Sequence, residues 1–205
     1  MKILFLRDQR TPAIDGAGIY LLRVCKVLNK KKIPYLLLYG GRNDLYSKAL
    51  KKNKINVKFV NFPNQTPKNF FRFFKIFKLR QKIKKLIIKE KFTIINTHFP
   101  HLNFFLSKSI NIPLISHWHG ADVVNKPIKI FDRDLFKNFN IRDLLFKIYI
   151  KFNVFNFGLA KFVVVHGKAS RNTAIKKYNV DKDKIRINSY GVKTYNSKNI
   201  KTIHK

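Results

Sequence analysis

KILFLRDQRTPAIDGAGIYLLRVCKVLNKKKIPYLLLY, residues 2–39, is the stretch that decides the fold. It opens with a short apolar run at 2–7 (KILFLR) that stops in charged and turn-forming residues. Helical spacing follows over 16–32 and places Leu21, Val24, Cys25 and Leu28 on one face. A second apolar run at 34–39 (PYLLLY) is closed by Gly40 and Gly41. Both runs are apolar throughout rather than alternating, the pattern of strands covered on both faces. Strand, helix and strand in that order predict a right-handed crossover unit of a parallel sheet.

The alternation continues outward from this unit. A helix is expected over 43–53, a strand at 56–62 (NVKFVNF) and a long basic helix over 67–91. Strands at 92–98 (FTIINTH) and 112–119 (IPLISHWH) flank a short helix near 102–109. A helix near 134–157, a strand at 161–166 (KFVVVH), a helix over 168–178 and a strand at 184–189 (KIRINS) complete the order. The expectation is α/β: a single doubly wound, Rossmann-like parallel sheet of about seven strands with helices on both faces, over residues 1–192. The polar stretch 193–205 reads as a tail or the start of a linker. No internal repeat is present.

Composition bounds the chemistry. The 205 residues carry 44 Lys and Arg against 10 Asp and Glu, a formal charge of +34. Ten of the cations are Arg, so 34 are Lys, and Glu90 is the single glutamate. A pair of glutamates therefore cannot do acid/base work here. A disordered basic tail is excluded too, because 45% of the residues are hydrophobic and 14% aromatic, enough for a core. The remaining partners are anionic: nucleic acid, a membrane surface or phosphorylated small molecules. The chain is rich in Lys, Asn, Ile and Phe together, a compositional drift that lowers the weight of net charge and raises that of its clustering. Cys25 is the lone cysteine, so no intrachain disulfide forms and a reducing, cytoplasmic setting is expected. The apolar run at 3–6 is too short for a signal peptide, and no run of about 20 apolar residues predicts a spanning helix.

In an open α/β sheet the ligand sits beyond the carboxyl ends of the strands. That edge collects Asp15-Gly16-Ala17-Gly18 after strand one, His98 after strand four, His117-Trp118-His119-Gly120-Ala121-Asp122 after strand five, and His166-Gly167-Lys168 after strand six. Four of six histidines fall there, either as site residues or as ordinary polar strand ends. Gly16 and Gly18 match the first two glycines of a dinucleotide fingerprint, but Leu21 fills the third place. The second strand ends without an acidic residue for a ribose, which argues against an NAD enzyme. Two readings of the loop stay open: helix-end N–H groups approaching a phosphate or sugar, or a plain tight turn. His117 and His119 share a strand face and, with His98 and Asp122, are a candidate metal set. No His-x-x-x-His pair, second cysteine or nearby glutamate joins them, so no metal is expected. In the long helix Lys75, Lys78, Lys82, Lys85 and Lys89 draw one stripe beside Ile76, Leu79, Ile83 and Leu86, with Phe70, Phe71, Phe73, Phe74 and Phe77 loading the first half. This reads as an interfacial helix meeting anionic lipid, or as a surface helix packed on the sheet. Nucleic acid is not expected: no zinc-finger, RNP or KH signature occurs and the lysines are spread along the chain.

Four segments together resemble glycosyltransferase family 4, which has the GT-B fold. They are strand one with the Gly16-Ala17-Gly18 turn; Asn96-Thr97-His98 with Phe99-Pro100-His101; Ile112-Pro113-Leu114-Ile115 running into His117 to Asp122; and residues 161–192, closing on Lys184-Ile185 and Gly191-Val192. The resemblance implies the N-terminal, acceptor-side half of a hexosyltransferase-like enzyme, in a setting such as cell-surface polysaccharide assembly. It implies that Gly16, Ala17 and Gly18 lie against the donor's phosphates or sugar. It also implies that His119 reaches the transferred sugar and that Asp122 sits near the acceptor, as the catalytic pair. His98, His101 and His166 are its acceptor-side candidates. It implies a nucleotide-sugar and a glycan or lipid-linked acceptor as substrates, without a cofactor or obligatory metal. Two departures stand out. Tyr190 precedes Gly191 where the family more often has Asn, and a chain with one glutamate cannot hold the family's paired-glutamate motif. The expectation is half an active-site cleft, inactive without a separate C-terminal half, as a split-gene product or a fragment. The alternative is a non-catalytic basic module on an anionic membrane or polyanion.

Overall fold

The computed structural model describes residues 1–8, 14–62, 71–107, 109–119, 160–178 and 180–188. Its strands are β1 (Ile3–Arg7), β2 (Tyr35–Tyr39), β3 (Val57–Phe59), β4 (Ile94–His98), β5 (Leu114–His117), β6 (Ala160–Val165) and β7 (Ile185–Ile187). Its α-helices are α1 (Gly16–Lys30), α2 (Leu45–Lys52), α3 (Phe71–Glu90) and α4 (Lys168–Tyr178), with a 3-10 turn at Pro100–Phe105. The seven strands form one sheet in the order β3-β2-β1-β4-β5-β6-β7, and every pairing is parallel. The doubly wound sheet is therefore as expected. Its order reverses between β1 and β4, which is where such sheets open a crevice.

Strand period two explains the two cores. Leu4 and Leu6 of β1 and Leu38 of β2 face α3, the 3-10 turn and α4. Phe5, Tyr35, Leu37 and Tyr39 face α1 and α2. On α1 the buried residues Leu21, Cys25 and Leu28 make the expected stripe, with Val24 half-buried beside it. Burial pushes the Cys25 thiol up to about 12, so it behaves as a packed apolar group. On α3, Ile76, Leu79, Ile83 and Ile87 are buried and Leu86 is half-buried, while Lys75, Lys78, Lys82, Lys85 and Lys89 are exposed. The apolar stripe thus packs on the sheet and the lysine stripe faces out. Lys2 Nζ donates to Glu90 Oε2 at 2.6 Å, tying the start of β1 to the end of α3.

Several elements are shorter than expected, for local reasons. The expected helix near 102–109 is a 3-10 turn that begins earlier, at Pro100. A buried polar knot sets it: Thr97 Oγ1 donates to Asn103 Oδ1 at 2.6 Å, and Asn103 Nδ2 donates to Ser116 Oγ at 3.1 Å. These bonds fasten the turn across β4 and β5 and leave an α-helix no register to continue. β3 spans three residues, because Phe62 turns away to pack on Phe105 with ring centroids 5.2 Å apart. The expected helix at 134–157 and the tail at 193–205 lie outside the described residues.

Ile83 is 2% exposed, in the middle of the α3 stripe. Ile83→Ala should lower stability by about 2–5 kcal/mol, read from urea unfolding. Lys82→Gln, on the exposed face, should change it by less than about 0.5 kcal/mol. Equal midpoints for the two variants would mean that α3 does not pack as described.

Candidate functional site at the carboxyl edge of the sheet

Parallel register builds the site. Arg7 pairs with His98 across β1 and β4, and His98 pairs with His117 across β4 and β5. Three strand ends therefore deliver three functional side chains in a row. His119 follows two residues on, and the bond from Trp118 N–H to Val164 O (2.9 Å) keeps its segment against β6. His166 follows the end of β6.

The four imidazoles form one stack. His98 lies on His117 with centroids 4.7 Å apart and planes 3° from parallel. His98 and His119 are 5.0 Å apart, and His119 and His166 are 4.9 Å apart. The Tyr20 ring of α1 stands 5.9–6.4 Å from all four. Nitrogen contacts run along the stack: His98 Nδ1 to His119 Nε2 at 2.9 Å, and His119 Nδ1 to His166 Nε2 at 3.1 Å. His166 Nδ1 lies 2.6 Å from the Asn188 carbonyl, which can only accept, so that nitrogen carries a proton. His117 Nε2 lies 3.2 Å from Asn96 Nδ2. Among the described residues the buried His117 Nδ1 has no hydrogen-bond partner.

Burial sets the charge state. It lowers His98 well below the ordinary histidine range, with the neighbouring His117 and His119 acting in the same direction. Burial lowers His117 to about 4, with His166 adding to it. Burial also lowers His166, against the opposing pull of the Asn188 carbonyl. Tyr20 is raised by burial, opposed by its bond from Asn188. His98, His117 and His166 are thus held neutral inside a strongly cationic chain.

The glycine turn sits beside it. Asp15 caps α1, accepting from Gly18 N–H at 2.7 Å, and its same oxygen Oδ1 takes the Arg7 guanidinium. Arg7 is 4% exposed and lies 4.9 Å from the Tyr46 ring and 5.5 Å from the Phe99 ring. A side chain at Gly18 would meet Asp15 Oδ1 and Tyr46 at 3.0 Å, whereas one at Gly16 would meet nothing within 4 Å. Gly18 is therefore a packing glycine whose N–H is already bonded, while the edge at Gly16 is open to a ligand. Phe99 adopts φ 120°, unusual for a bulky residue, and its ring meets His119 edge-on at 5.4 Å.

The expected residues are thus divided. The structure brings His98, His119 and His166 together, adds His117, and sets the Gly16-Ala17-Gly18 turn on the same edge. His101 lies on the 3-10 turn, its side chain outside the described residues, as are Gly120, Ala121 and Asp122. Arg7, Tyr20, Asn96 and Asn188 are part of the site and were not anticipated. Asn96 shared a strand face with His98 by period two, a signal that could have found it. Away from the stack, a groove of about 820 Å³ runs between α3 and the β2–β3 edge, lined by Lys75, Lys78, Lys82, Lys85 and Lys89 together with Arg42 and Lys58.

Two outcomes check this geometry. The folded chain binds fewer protons than the unfolded one once pH drops below about 6.5, so stability is full above that pH and falls toward pH 4. His117 alone contributes about 3 kcal/mol of this dependence. Urea midpoints measured from pH 7.5 to 4.5 should fall steeply, and less steeply for His117→Gln. Asp15→Ala, which strands the buried Arg7 charge, should cost about 3–5 kcal/mol. A neutral result would dissolve the proposed coupling of β1 to α1.

The family model described as Glycosyltransferase Family 4 matches residues 14–195. No curated protein sequence matches significantly. Among solved structures, a glycosyltransferase from Rickettsia africae is similar at 21% identity and TM-score 0.64, over 93% of this chain and 43% of its own. MurG from Acinetobacter baumannii is similar at 14% identity and TM-score 0.54, over 95% of this chain and 46% of its own. A UDP-GlcNAc 2-epimerase from Neisseria meningitidis is similar at 13% identity and TM-score 0.54, over 91% and 46%. This chain therefore spans less than half the length of each. The shared fold is the Rossmann-like half of a GT-B architecture, and with its family model matched over most of its length the chain belongs to glycosyltransferase family 4.

Proposed function

We propose that this domain forms one wall of a sugar-transfer cleft, moving a hexose from a nucleotide-sugar to a glycan or lipid-linked acceptor. The observation that carries the reading is the position of His119. It sits at the carboxyl edge of a family 4 sheet, buried, in contact with the neutral His98 and His166 and on the same edge as the Gly16 turn. A neutral imidazole can donate to or accept from sugar hydroxyls without bringing a charge into the pocket. The Gly16-Ala17-Gly18 turn offers the start of α1 to the donor's phosphates chiefly at Gly16, since the Gly18 N–H is taken by Asp15; His98, His101 and His166 flank the acceptor, and Asp122 acts with His119. A nucleotide-sugar as donor is supported by the Neisseria meningitidis epimerase of the same fold, which is bound to UDP-GlcNAc. In this reading the donor nucleotide is held by a second, C-terminal half, and transfer needs both.

The test is a transfer assay with a panel of nucleotide-sugars and undecaprenyl-linked or glycan acceptors, read by mass spectrometry. The 205 residues are assayed alone and joined to a nucleotide-binding half from the continuing or neighbouring reading frame. Transfer is expected only with both, and His119→Ala should lower it by at least about 10²-fold. Robust transfer by the 205 residues alone would sink the two-half reading.

We also infer that α3 holds the protein on the cytoplasmic membrane face. Its five stripe lysines are exposed, Phe74 and Phe77 beside them are 63% and 54% exposed, and the groove they line is cationic. No described helix is long and apolar enough to cross a membrane, so attachment would be peripheral. Each lysine near an anionic surface adds about 1 kcal/mol. Replacing Lys75, Lys78, Lys82, Lys85 and Lys89 with Gln should abolish flotation with vesicles containing phosphatidylglycerol. Unchanged flotation removes the anchor, and binding to DNA but not to vesicles would replace it with a polyanion role.

A further inference from the structure

We propose that His117, His119 and His166 form a binding site for a first-row divalent metal ion, with Zn²⁺ the best fit. One ring nitrogen from each residue lies within 4.8 Å of the other two. The contacts around the rings point to one nitrogen on each as the ligand. The Asn188 carbonyl fixes the proton of His166 on Nδ1, so Nε2 is its lone pair. His119 Nδ1 faces that lone pair at 3.1 Å. Two nitrogens bound to one tetrahedral ion at 2.0–2.1 Å sit about 3.3 Å apart, so this pair already has a ligand spacing. In the metal-free chain His119 Nδ1–H donates to that lone pair; an ion bound at Nδ1 moves the proton to Nε2, which then donates to His98 Nδ1, 2.9 Å away.

His117 supplies the third nitrogen. Its Nε2 is taken by the Asn96 amide, which leaves Nδ1, buried and without a partner among the described residues. An asparagine amide presents either end with the same shape, and with its oxygen toward His117 it accepts Nε2–H and leaves Nδ1 as a lone pair. Ring nitrogens of the three residues lie within 4.8 Å of one another, wider than the roughly 3.3 Å of a tetrahedral site, so the rings draw inward on binding. His166, half-buried at the rim, can supply much of this movement.

Each proposed ligand therefore has an acceptor behind its other nitrogen: Asn96 Oδ1, His98 Nδ1 and the Asn188 carbonyl. Metal-binding histidines almost always carry such support, which fixes the tautomer and aims the lone pair. Imidazoles without carboxylates suit zinc, copper, nickel or cobalt and disfavour magnesium and calcium. Three protein ligands leave a fourth position for an oxygen of water or of a bound ligand. With the ion bound both nitrogens of His119 are taken, so ion-holding and sugar-holding His119 are alternative states; binding of the ion is measured without turnover and stands or falls apart from the sugar-transfer reading.

The test uses the 205-residue chain freed of metal with chelator, titrated with Co²⁺ and then Zn²⁺. Saturable uptake of one equivalent is expected, with the visible absorption of four-coordinate Co²⁺ bleached by Zn²⁺. Zn²⁺ should raise the melting temperature of the wild type. His166→Gln changes a half-exposed residue, so its metal-free circular dichroism should match the wild type while its affinity falls at least about 100-fold. Asn96→Ala, behind His117, should weaken binding about 10–100-fold. In the wild type, imidazole ¹⁵N signals of His117, His119 and His166 should shift on Zn²⁺ addition, while those of His101 and His204 stay in place. Lack of saturable uptake, equal affinity in His166→Gln, or shifts confined to His101 and His204 would each overturn the site.

Discussion

One carboxylate organises the working edge of this domain. Asp15 Oδ1 holds the Gly18 N–H and the Arg7 guanidinium together. The first bond fixes where α1 begins, and the second fixes that start against the end of β1. Arg7 in turn lies under Tyr46 of α2 and against Phe99, beyond β4. A buried guanidinium is costly without a counter-charge, so Asp15 has few alternative positions. With the first turn of α1 pinned there, Tyr20 falls one turn later over all four histidines. The glycine at position 18 follows from the same crowding, because a side chain would strike Asp15, Tyr46 and Arg7 together.

The charge of the chain looks different once it is placed. A total of +34 suggests a site built from cations, yet the side chains gathered at the carboxyl edge are mostly neutral. Arg7 there is neutralised by Asp15, and burial keeps His98, His117 and His166 uncharged. A cluster of exposed lysines lies instead on the outer face of α3 and around its groove. The cationic surface and the histidine cluster are therefore separate parts of the fold. Burial explains the separation. Lysines at the crossing of β1, β4 and β5 would have to be desolvated without partners, whereas on α3 they stay in water.

The sheet was legible because its signal is local. Runs such as KILFLR and PYLLLY are apolar on both faces, and only a strand buried on both sides tolerates that. The α3 stripe was equally legible, since period and burial coincide at Ile76, Leu79 and Ile83. The histidines could be assigned to one edge from strand order alone. Their stacking could not, because it depends on the register that sets His98 opposite His117. Arg7 was read as the residue that ends a strand, when it is a buried partner of Asp15. Asn188 and Tyr20 gave no signal, as a backbone carbonyl and a helix-face tyrosine acquire meaning only when a distant histidine arrives beside them. The 3-10 turn at Pro100–Phe105 was missed for the same reason: Thr97, Asn103 and Ser116 are ordinary polar residues until the fold buries them together.

The lone glutamate and the histidine stack constrain the chemistry jointly. Glu90 is committed to Lys2 at the opposite end of α3 from the groove's first lysines, and Asp15, which caps α1 on the working edge, is occupied by Arg7. Neither is then a free carboxylate for general acid or base work at this edge. The imidazoles remain, and their neutrality lets one nitrogen donate while the other accepts, so a hydroxyl can be held without a net charge. In the proposed transfer, negative charge developing on a departing diphosphate would have to be met by backbone N–H groups near Gly16 or by cations from elsewhere. On that reading this wall orients and hydrogen-bonds a sugar, and stabilising the leaving group falls to what faces it.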